Sequence, residues 1–340
     1  MLHNFRVPLS HIEIMSTSSE KPTIFVTRRW PDAAEDALKQ YFKPSFNVDD
    51  TPLTAAQIAA GFASHDALAP TVSDQITAEI IAAGAAGSGR LIANFGVGVN
   101  HIDLSAAASA GLAVANTPGV LTDATADLTL TLMLMISRRA GEGERELRAG
   151  AWAGWRPTHL MGRSLSGKTL GIIGMGRIGK AVARRAALGF GMNIIFFNRS
   201  PVTDIMEYDA RQVADIDDLC AASDFVSLHC AASKDTFHIL NKARLQRMQK
   251  HAYVINTARG DVVDEAALVK ALNAGSIGGA GLDVFQGEPN IHPDILNAPN
   301  TVLLPHLGSA TVETRTAMGL KVVENARAFF AGDDLIDPVV

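Results

Sequence analysis

The feature that most constrains this chain is a glycine-rich turn between an apolar strand and a helix. Thr169–Ile173 reads as a buried strand, and a helical pattern follows the turn through Val182 and Ala186. In the G-x-G-x-x-G spacing the glycines allow a tight turn, close approach to a pyrophosphate and packing of helix on strand. The free N–H groups and dipole of the helix start favour phosphate. The pattern predicts that a dinucleotide is bound by Gly174, Met175, Gly176, Arg177, Ile178 and Gly179.

Short apolar strands alternate with helical patterns along nearly the whole chain. This alternation predicts an α/β fold with parallel sheets and right-handed crossovers. We expect two doubly wound parallel-sheet domains. Residues 119–308 would form a Rossmann-type coenzyme domain. Residues 21–118 and 309–340 would form a flavodoxin-like substrate domain. Residues 1–20 are predicted to be a disordered lead-in, with translation starting at Met1 or Met15.

One long helix is predicted from about Asp123 to Ala149. Its first half is apolar on nearly all sides, which is typical of a helix buried between domains or between subunits. Asp123 and Asp127 lie near its start, where acidic side chains favour the positive end of the helix dipole.

Composition excludes several classes of function. The formal net charge is -5, whereas nucleic-acid binding proteins usually carry a basic patch. Cys220 and Cys230 are too few for a disulfide framework, and no spacing typical of metal ligands occurs. No apolar run reaches the roughly 18 residues of a membrane span. We therefore expect a soluble cytoplasmic protein without a metal.

The residues after the second strand of the coenzyme domain bear on which dinucleotide is bound. Enzymes that use NAD usually carry an acidic residue there for the ribose 2′-hydroxyl. This chain has Asn198, Arg199 and Ser200 instead. A guanidinium and a hydroxyl suit a 2′-phosphate, which predicts that NADPH is preferred and that NADH remains usable. The alternative is an arginine that is merely exposed in a loop.

Three further motifs each follow a predicted strand of the coenzyme domain. They are Asn256-Thr257-Ala258-Arg259-Gly260, Gly281 to Phe285 leading to Gly287-Glu288-Pro289, and Pro305-His306-Leu307-Gly308-Ser309. Because the carboxyl ends of parallel strands face the ligand crevice, these motifs should gather there. Each residue alone has a structural alternative: a core histidine, a turn acid or a surface arginine.

Together with the loop Phe95–Asn100 and Asp103, these motifs resemble those of the D-isomer-specific 2-hydroxyacid dehydrogenases. The resemblance covers nearly all of the chain after about residue 20. The Asn198-Arg199-Ser200 segment resembles, more weakly, the NADPH-using glyoxylate/hydroxypyruvate reductase branch. The resemblance implies an NAD(P)-dependent reductase that converts a small 2-keto acid, such as glyoxylate or hydroxypyruvate, into the 2-hydroxy acid.

That reaction needs a hydride at C2 and a proton at the carbonyl oxygen. We expect His306 to be the general acid, since imidazole titrates near neutral pH, and Glu288 to favour its protonated form. Arg259 would bind the substrate carboxylate and polarise the carbonyl. The resemblance implies that the N–H groups of Val97 and Gly98 hold the same carboxylate.

The resemblance also assigns the remaining contacts. Asp283 would bind the nicotinamide carboxamide. Further lining of the cofactor cleft would come from Thr122, His229, Cys230, Thr257, Ala258, His306 and Gly308. Candidates for the substrate side-chain pocket are Leu53, Phe95 and Met161. A homodimer is expected, with Trp152 and Trp155 either packed in its interface or lining the pocket of the partner subunit.

Other activities on this scaffold stay open. Formate dehydrogenases place a glutamine where this chain has Glu288, which makes that activity a poorer match. A phosphite dehydrogenase is not separated by the three site residues alone. A dinucleotide-sensing corepressor would keep the fold and bind a partner protein without turnover.

Overall fold

The fold is described from a computed structural model, which covers residues 20–340 except 204 and 206. The predicted lead-in, of which only Glu20 is described, and both candidate start residues lie outside this range. Among the described residues, no helix is both long enough and apolar enough to cross a membrane.

The first sheet has five parallel strands in the order β2-β1-β3-β4-β5. This is the strand order of flavodoxin-like folds. Its strands are β1 (Thr23–Val26), β2 (Lys43–Phe46), β3 (Ala67–Ala69), β4 (Leu91–Ala93) and β5 (Ala113–Ala115). The helices between them are α1 (Asp32–Tyr41), α2 (Ala55–Ala63), α3 (Ala78–Ala86) and α4 (Leu104–Ser109).

The second sheet has seven parallel strands in the order β12-β11-β10-β9-β6-β7-β8. Counted from β6, this is the Rossmann order with one strand added, so the order reverses between β6 and β9. Its strands are β6 (Thr169–Ile173), β7 (Asn193–Phe197), β8 (Ala210–Gln212), β9 (Phe225–Leu228), β10 (Tyr253–Asn256), β11 (Gly279–Leu282) and β12 (Thr301–Leu303). The two sheets confirm the predicted fold class.

The remaining helices complete the layers on these sheets. They are α5 (Thr122–Ser137), α6 (Ala140–Arg148), α7 (Arg177–Phe190), α8 (Ile216–Ala222), α9 (Lys242–Arg247), α10 (Glu265–Asn273), α11 (Pro293–Leu296) and α12 (Val312–Ala331). Helix α12 packs on α1 and β4, and Val322, Val323 and Ala326 join the core of the first sheet. The exact domain boundaries stay a prediction.

The prediction of one helix over residues 123–149 is wrong. Helix α5 ends at Ser137, Arg139 has a left-handed φ of 53°, and α6 begins at Ala140. The Ser137 carbonyl accepts the Arg163 N–H at 2.8 Å. A Cβ at Gly162 would lie 2.1 Å from that same oxygen, so a distant segment occupies an acceptor that a continued helix would use.

Helix α5 lies on the second sheet, where it packs against β10, β11 and α7. Leu132, Met133 and Ile136 contribute to the core beneath it. Asp123 and Asp127 do more than face the helix dipole, because both bind Arg185 of α7, at 2.8 and 2.7 Å.

Candidate active site

The glycine-rich turn lies at the switch point of the second sheet, between the carboxyl ends of β6 and β9. Gly174 has a φ of 99°, and a Cβ there would lie 2.6 Å from the Cys230 nitrogen. A Cβ at Gly179 would lie 2.3 Å from the Gly174 oxygen, whereas Gly176 faces open space. Helix α7 begins at Arg177 with no side-chain cap. This tight turn, with an open second glycine at a helix start, fits a dinucleotide pyrophosphate.

The segment after β7 is held by amide side chains. The Met175 N–H donates to Asn198 Oδ1 at 3.1 Å, and Asn198 Nδ2 donates to the Ser200 carbonyl at 2.9 Å. Gln212 Nε2 donates to the carbonyls of Asn198 and Ser200 at 3.1 and 3.2 Å. Arg199 and Ser200 are exposed beside these hydrogen-bonded amides. Sequence reasoning missed Gln212, because it lies on a strand without an apolar pattern.

Of the other predicted cleft residues, His229 and Cys230 lie at the same switch point, where their backbone approaches Gly174. His229 Nε2 is 2.8 Å from Ser227 Oγ, and burial lowers the pKa of His229 to about 3, so its ring is neutral. Burial raises the pKa of the Cys230 thiol to about 11, which keeps it protonated. Thr122 is the first residue of α5, and Ala258 is half-buried before Arg259.

Helix α5 braces the site loops through two threonines. The hydroxyl oxygens of Thr129 and Thr257 are 3.0 Å apart, and Thr125 Oγ donates to the Gly308 carbonyl at 3.1 Å. The loops after β10 and β12 are therefore tied to one rigid helix.

His306 and Glu288 form a hydrogen-bonded pair. His306 Nδ1 lies 2.8 Å from Glu288 Oε2, and the Phe285 N–H donates to Glu288 Oε1 at 2.7 Å. Burial acts to raise the pKa of Glu288, but the hydrogen bond and charge of His306 bring that pKa below its usual value. Among the described residues, His306 Nε2 has no protein partner. The pair thus presents one ring nitrogen outward.

Asp283 holds the backbone turn that presents His306. Its two carboxylate oxygens accept the N–H groups of Leu307 and Gly308 at 2.7 and 2.8 Å. His306 has a left-handed φ of 55°, a conformation that costs energy for a non-glycine residue and needs such support. Burial raises the pKa of Asp283 above its usual value. Sequence reasoning did not anticipate this structural role, and a contact with a carboxamide stays a prediction.

Arg259 lies on the loop after β10 and reaches across to the first domain. Its Nε donates to Asn100 Oδ1 at 3.1 Å and its Nη1 to the Ala258 carbonyl at 2.7 Å. A Cβ at Gly98 would lie 1.7 Å from Arg259 Nη2, so the guanidinium lies against the Gly98 backbone. Burial lowers the pKa of Arg259, an effect that the charge of Glu288 opposes.

The loops that carry Arg259 and Glu288 touch each other through backbone. A Cβ at Gly260 would lie 2.0 Å from the Phe285 carbonyl carbon, so only glycine permits this approach. Asn256 shapes the first of these loops, because its Nδ2 donates to the Arg259 carbonyl at 2.8 Å and its Oδ1 accepts the Ala258 N–H at 3.0 Å.

Val97 and Gly98 lie beside the guanidinium of Arg259. Within the described part of the chain, neither of their N–H groups donates to a protein acceptor. Two unpaired amides next to a cation form a suitable site for a carboxylate.

The roles of Phe95 and Leu53 in the substrate side-chain pocket stay predictions, whereas Met161 lies away from the site. Phe95 is half-buried 5.1 Å from the Trp30 ring, and Leu53 packs on the core below α2. Met161 is exposed beside Arg163 and Tyr253, at the amino ends of the strands, so it does not line the site of its own chain. Trp152 and Trp155 are also exposed. Among residues 20–340, apart from 204 and 206, no group of three or more His, Cys, Asp or Glu side chains could hold a metal ion. That the protein works without a metal stays a prediction.

A model of the D-isomer specific 2-hydroxyacid dehydrogenase NAD binding domain matches residues 130–308. A glyoxylate reductase of Thermococcus litoralis is 40% identical over 317 residues, which are 92% of this chain and 95% of that protein. The chain belongs to the D-isomer-specific 2-hydroxyacid dehydrogenase family. A glycerate dehydrogenase of Hyphomicrobium methylovorum is 38% identical over 93% of this chain and 98% of its own.

A solved structure extends this likeness to the fold. The NADPH-dependent glyoxylate/hydroxypyruvate reductase of Sinorhizobium meliloti, in complex with NADP and malonate, superposes with a TM-score of 0.84 at 34% identity. The match covers 94% of this chain and 97% of that one. The family resemblance seen in the sequence is confirmed. The chain is an oxidoreductase of the 2-hydroxyacid dehydrogenase class, and its cofactor is a nicotinamide dinucleotide.

The glycine-rich turn provides a direct test of the cofactor site. In Gly179→Ala the new methyl group collides with the Gly174 backbone, which must move. We expect dinucleotide binding, measured by fluorescence titration with NADPH, to weaken at least about tenfold, or about 1.4 kcal/mol. Gly189→Ala, in the same helix with no atom within 4 Å of its Cβ, is the matched control and should bind normally. Equal affinities in both variants would place the cofactor elsewhere.

Proposed function

We propose that this protein reduces small 2-keto acids, with glyoxylate and hydroxypyruvate as substrates, to 2-hydroxy acids of D configuration where the product is chiral, and that it prefers NADPH. The observation that carries the proposal is the set of three elements at one crevice: a carboxylate-backed imidazole, a guanidinium and two unpaired amides. The names of the glyoxylate reductase relatives support the same substrate class.

Each group has a distinct role toward a 2-keto acid. The N–H groups of Val97 and Gly98 and the guanidinium of Arg259 bind the carboxylate and orient the keto group. A nicotinamide dinucleotide held at the Gly174–Gly179 turn would supply the hydride to C2. His306 donates a proton from Nε2 to the carbonyl oxygen, while Glu288 holds the ring through Nδ1 and stabilises its positive charge.

The charge of Arg259 is available to the substrate. Its hydrogen bonds go to neutral acceptors, the Asn100 amide and the Ala258 carbonyl. In the described chain no carboxylate forms an ion pair with it. A substrate carboxylate therefore meets a cation that has no ion-pair partner in a partly buried site, where electrostatic attraction is stronger than in water.

Steady-state turnover tests this proposal. Glyoxylate, hydroxypyruvate, pyruvate and bulkier 2-keto acids are compared with NADPH as the donor. We expect the highest kcat/KM for glyoxylate and hydroxypyruvate. Tight dinucleotide binding without turnover on any of them would instead favour a sensing or corepressor role.

The pair of His306 and Glu288 predicts a specific pH dependence. Because the pKa of Glu288 is lowered, its carboxylate is ionised at neutral pH and favours the imidazolium. In Glu288→Gln we expect kcat to fall about 10²-fold, in the range for acid catalysis, and the alkaline loss of activity to begin at lower pH. His306→Gln should lower kcat at least as much, with NADPH binding retained. Near-normal kcat in His306→Gln would remove this residue from the mechanism.

The preference for NADPH rests on the end of β7. Arg199 is exposed there, and no acidic side chain occupies the position that suits a ribose 2′-hydroxyl. We expect Arg199→Ala to lower kcat/KM with NADPH about 10- to 100-fold, the value of a lost charge-assisted contact, and to leave NADH unchanged. Arg211→Ala, on the neighbouring strand β8, is the control. Equal use of both cofactors by the wild type and by Arg199→Ala would contradict the assignment.

We also propose that the protein forms a homodimer and that it is located in the cytoplasm. Leu147, Trp152 and Trp155 expose 63%, 53% and 82% of their surface around one loop, which suits burial in a homodimer. Cys220 and Cys230 are free thiols, in keeping with the cytoplasm.

A further inference from the structure

The loop that carries Val97 and Gly98 is held by two asparagine side chains from outside it. Asn94 Nδ2 donates to the carbonyls of Gly96 and Gly98 at 3.0 and 3.1 Å. Asn116 Nδ2 donates to the carbonyl between them, that of Val97, at 2.8 Å. Three successive peptide groups are therefore fixed by side-chain amides, although the loop has no regular secondary structure.

Fixing these carbonyls also fixes the N–H groups. In a trans peptide the C=O and the N–H of the same plane point in opposite directions. The Gly96 carbonyl shares its plane with the Val97 N–H, and the Val97 carbonyl shares its plane with the Gly98 N–H. The directions of the Val97 and Gly98 N–H groups, which have no protein acceptor among the described residues, are thus determined by Asn94 and Asn116.

His101 completes this arrangement. Its Nε2 lies 3.0 Å from Asn94 Oδ1. Since the Asn94 NH₂ group is used by two carbonyls, Oδ1 must accept, and the network assigns the proton to His101 Nε2. Asn94 is fully buried and His101 is 5% exposed, with no partner for Nδ1 among the described residues. Burial and the charge of Arg259 lower the pKa of His101 to about 4, so the ring is neutral.

We propose that Asn94, Asn116 and His101 are positioning residues that preset the Val97 and Gly98 amides for the substrate carboxylate. This inference rests on the proposed function, because it assigns those amides to a carboxylate. None of the three residues contacts the reacting atoms. Their contribution is preorganisation, since a loop already aimed at its ligand loses less entropy when the ligand binds.

This role makes a kinetic prediction that loss of stability does not. The substrate carboxylate is bound equally well in the ground state and in the transition state. A variant that weakens this binding therefore raises KM and changes kcat little. His101→Leu removes the donor, and we expect KM for glyoxylate to rise about 10- to 100-fold. His101→Gln, whose amide can replace the Nε2–H, should restore most of the affinity.

A matched histidine in the same domain serves as the control. His65 is hydrogen-bonded to the Gly61 carbonyl at 2.7 Å and to Ser45 Oγ at 2.8 Å, away from the loop. His65→Leu should lower the melting temperature and leave KM unchanged. If it raises KM as much as His101→Leu does, the effect is general destabilisation and the proposal is wrong.

Asn116→Leu provides a second variant at a half-buried position, should His101→Leu fail to fold. Binding of oxalate to the NADP-saturated protein, measured by calorimetry, reports the carboxylate site without turnover. We expect its Kd to rise in parallel with KM in both leucine variants. An unchanged oxalate Kd in the folded variants overturns the proposal. Failure of the wild type to reduce any 2-keto acid contradicts the proposed function instead, while the oxalate constants still decide the role of these residues.

Discussion

The hydrogen bond between His306 Nδ1 and Glu288 Oε2 is the contact on which the proposed chemistry depends. It occupies one ring nitrogen and leaves the other facing the crevice. The two residues come from separate loops, after β12 and after β11, so the bond forms only if both loops are held in place. Asp283 supports the first loop, and the Phe285 N–H fixes the carboxylate on the second.

Arg259 is likewise held by a few contacts from separate loops. Its loop touches the Glu288 loop at Gly260, where a side chain would not fit. The guanidinium then crosses to Asn100 and Gly98 of the other domain. The proposed substrate site is therefore made of backbone and side chains from both domains, and a change in their relative position would alter it directly.

The parts of the fold that were predictable from sequence are those encoded locally. The glycine turn at 174–179 and the buried strands β6, β9 and β10 have apolar runs or glycine spacings that need no distant partner. Strands β2 and β8 were missed because both lie at sheet edges, where Lys43, Pro44 and Arg211 are tolerated without apolar alternation. The break after Ser137 was missed because its cause, the approach of Gly162, is remote in sequence.

The candidate site divides in the same way. Arg259, Glu288 and His306 follow strands whose carboxyl ends must meet, so their neighbourhood was predictable from topology. The hydrogen bonds of Asn94, Asn116 and His101 were not, because neutral polar residues near loops carry no spacing signal. Of the three, only Asn94 has a recognisable signal in the sequence. It directly follows the buried strand β4, where a polar side chain needs hydrogen-bond partners.

A crystal structure of the complex with NADP and oxalate tests the central claim most directly. The quantity to measure is the distance from His306 Nε2 to the oxalate oxygen that takes the place of the keto oxygen. We expect hydrogen-bond contact, about 2.6–3.2 Å, with the adjoining carboxylate on Arg259 and on the Val97 and Gly98 amides. Oxalate bound with the imidazole turned away, or bound outside this crevice, would contradict the account.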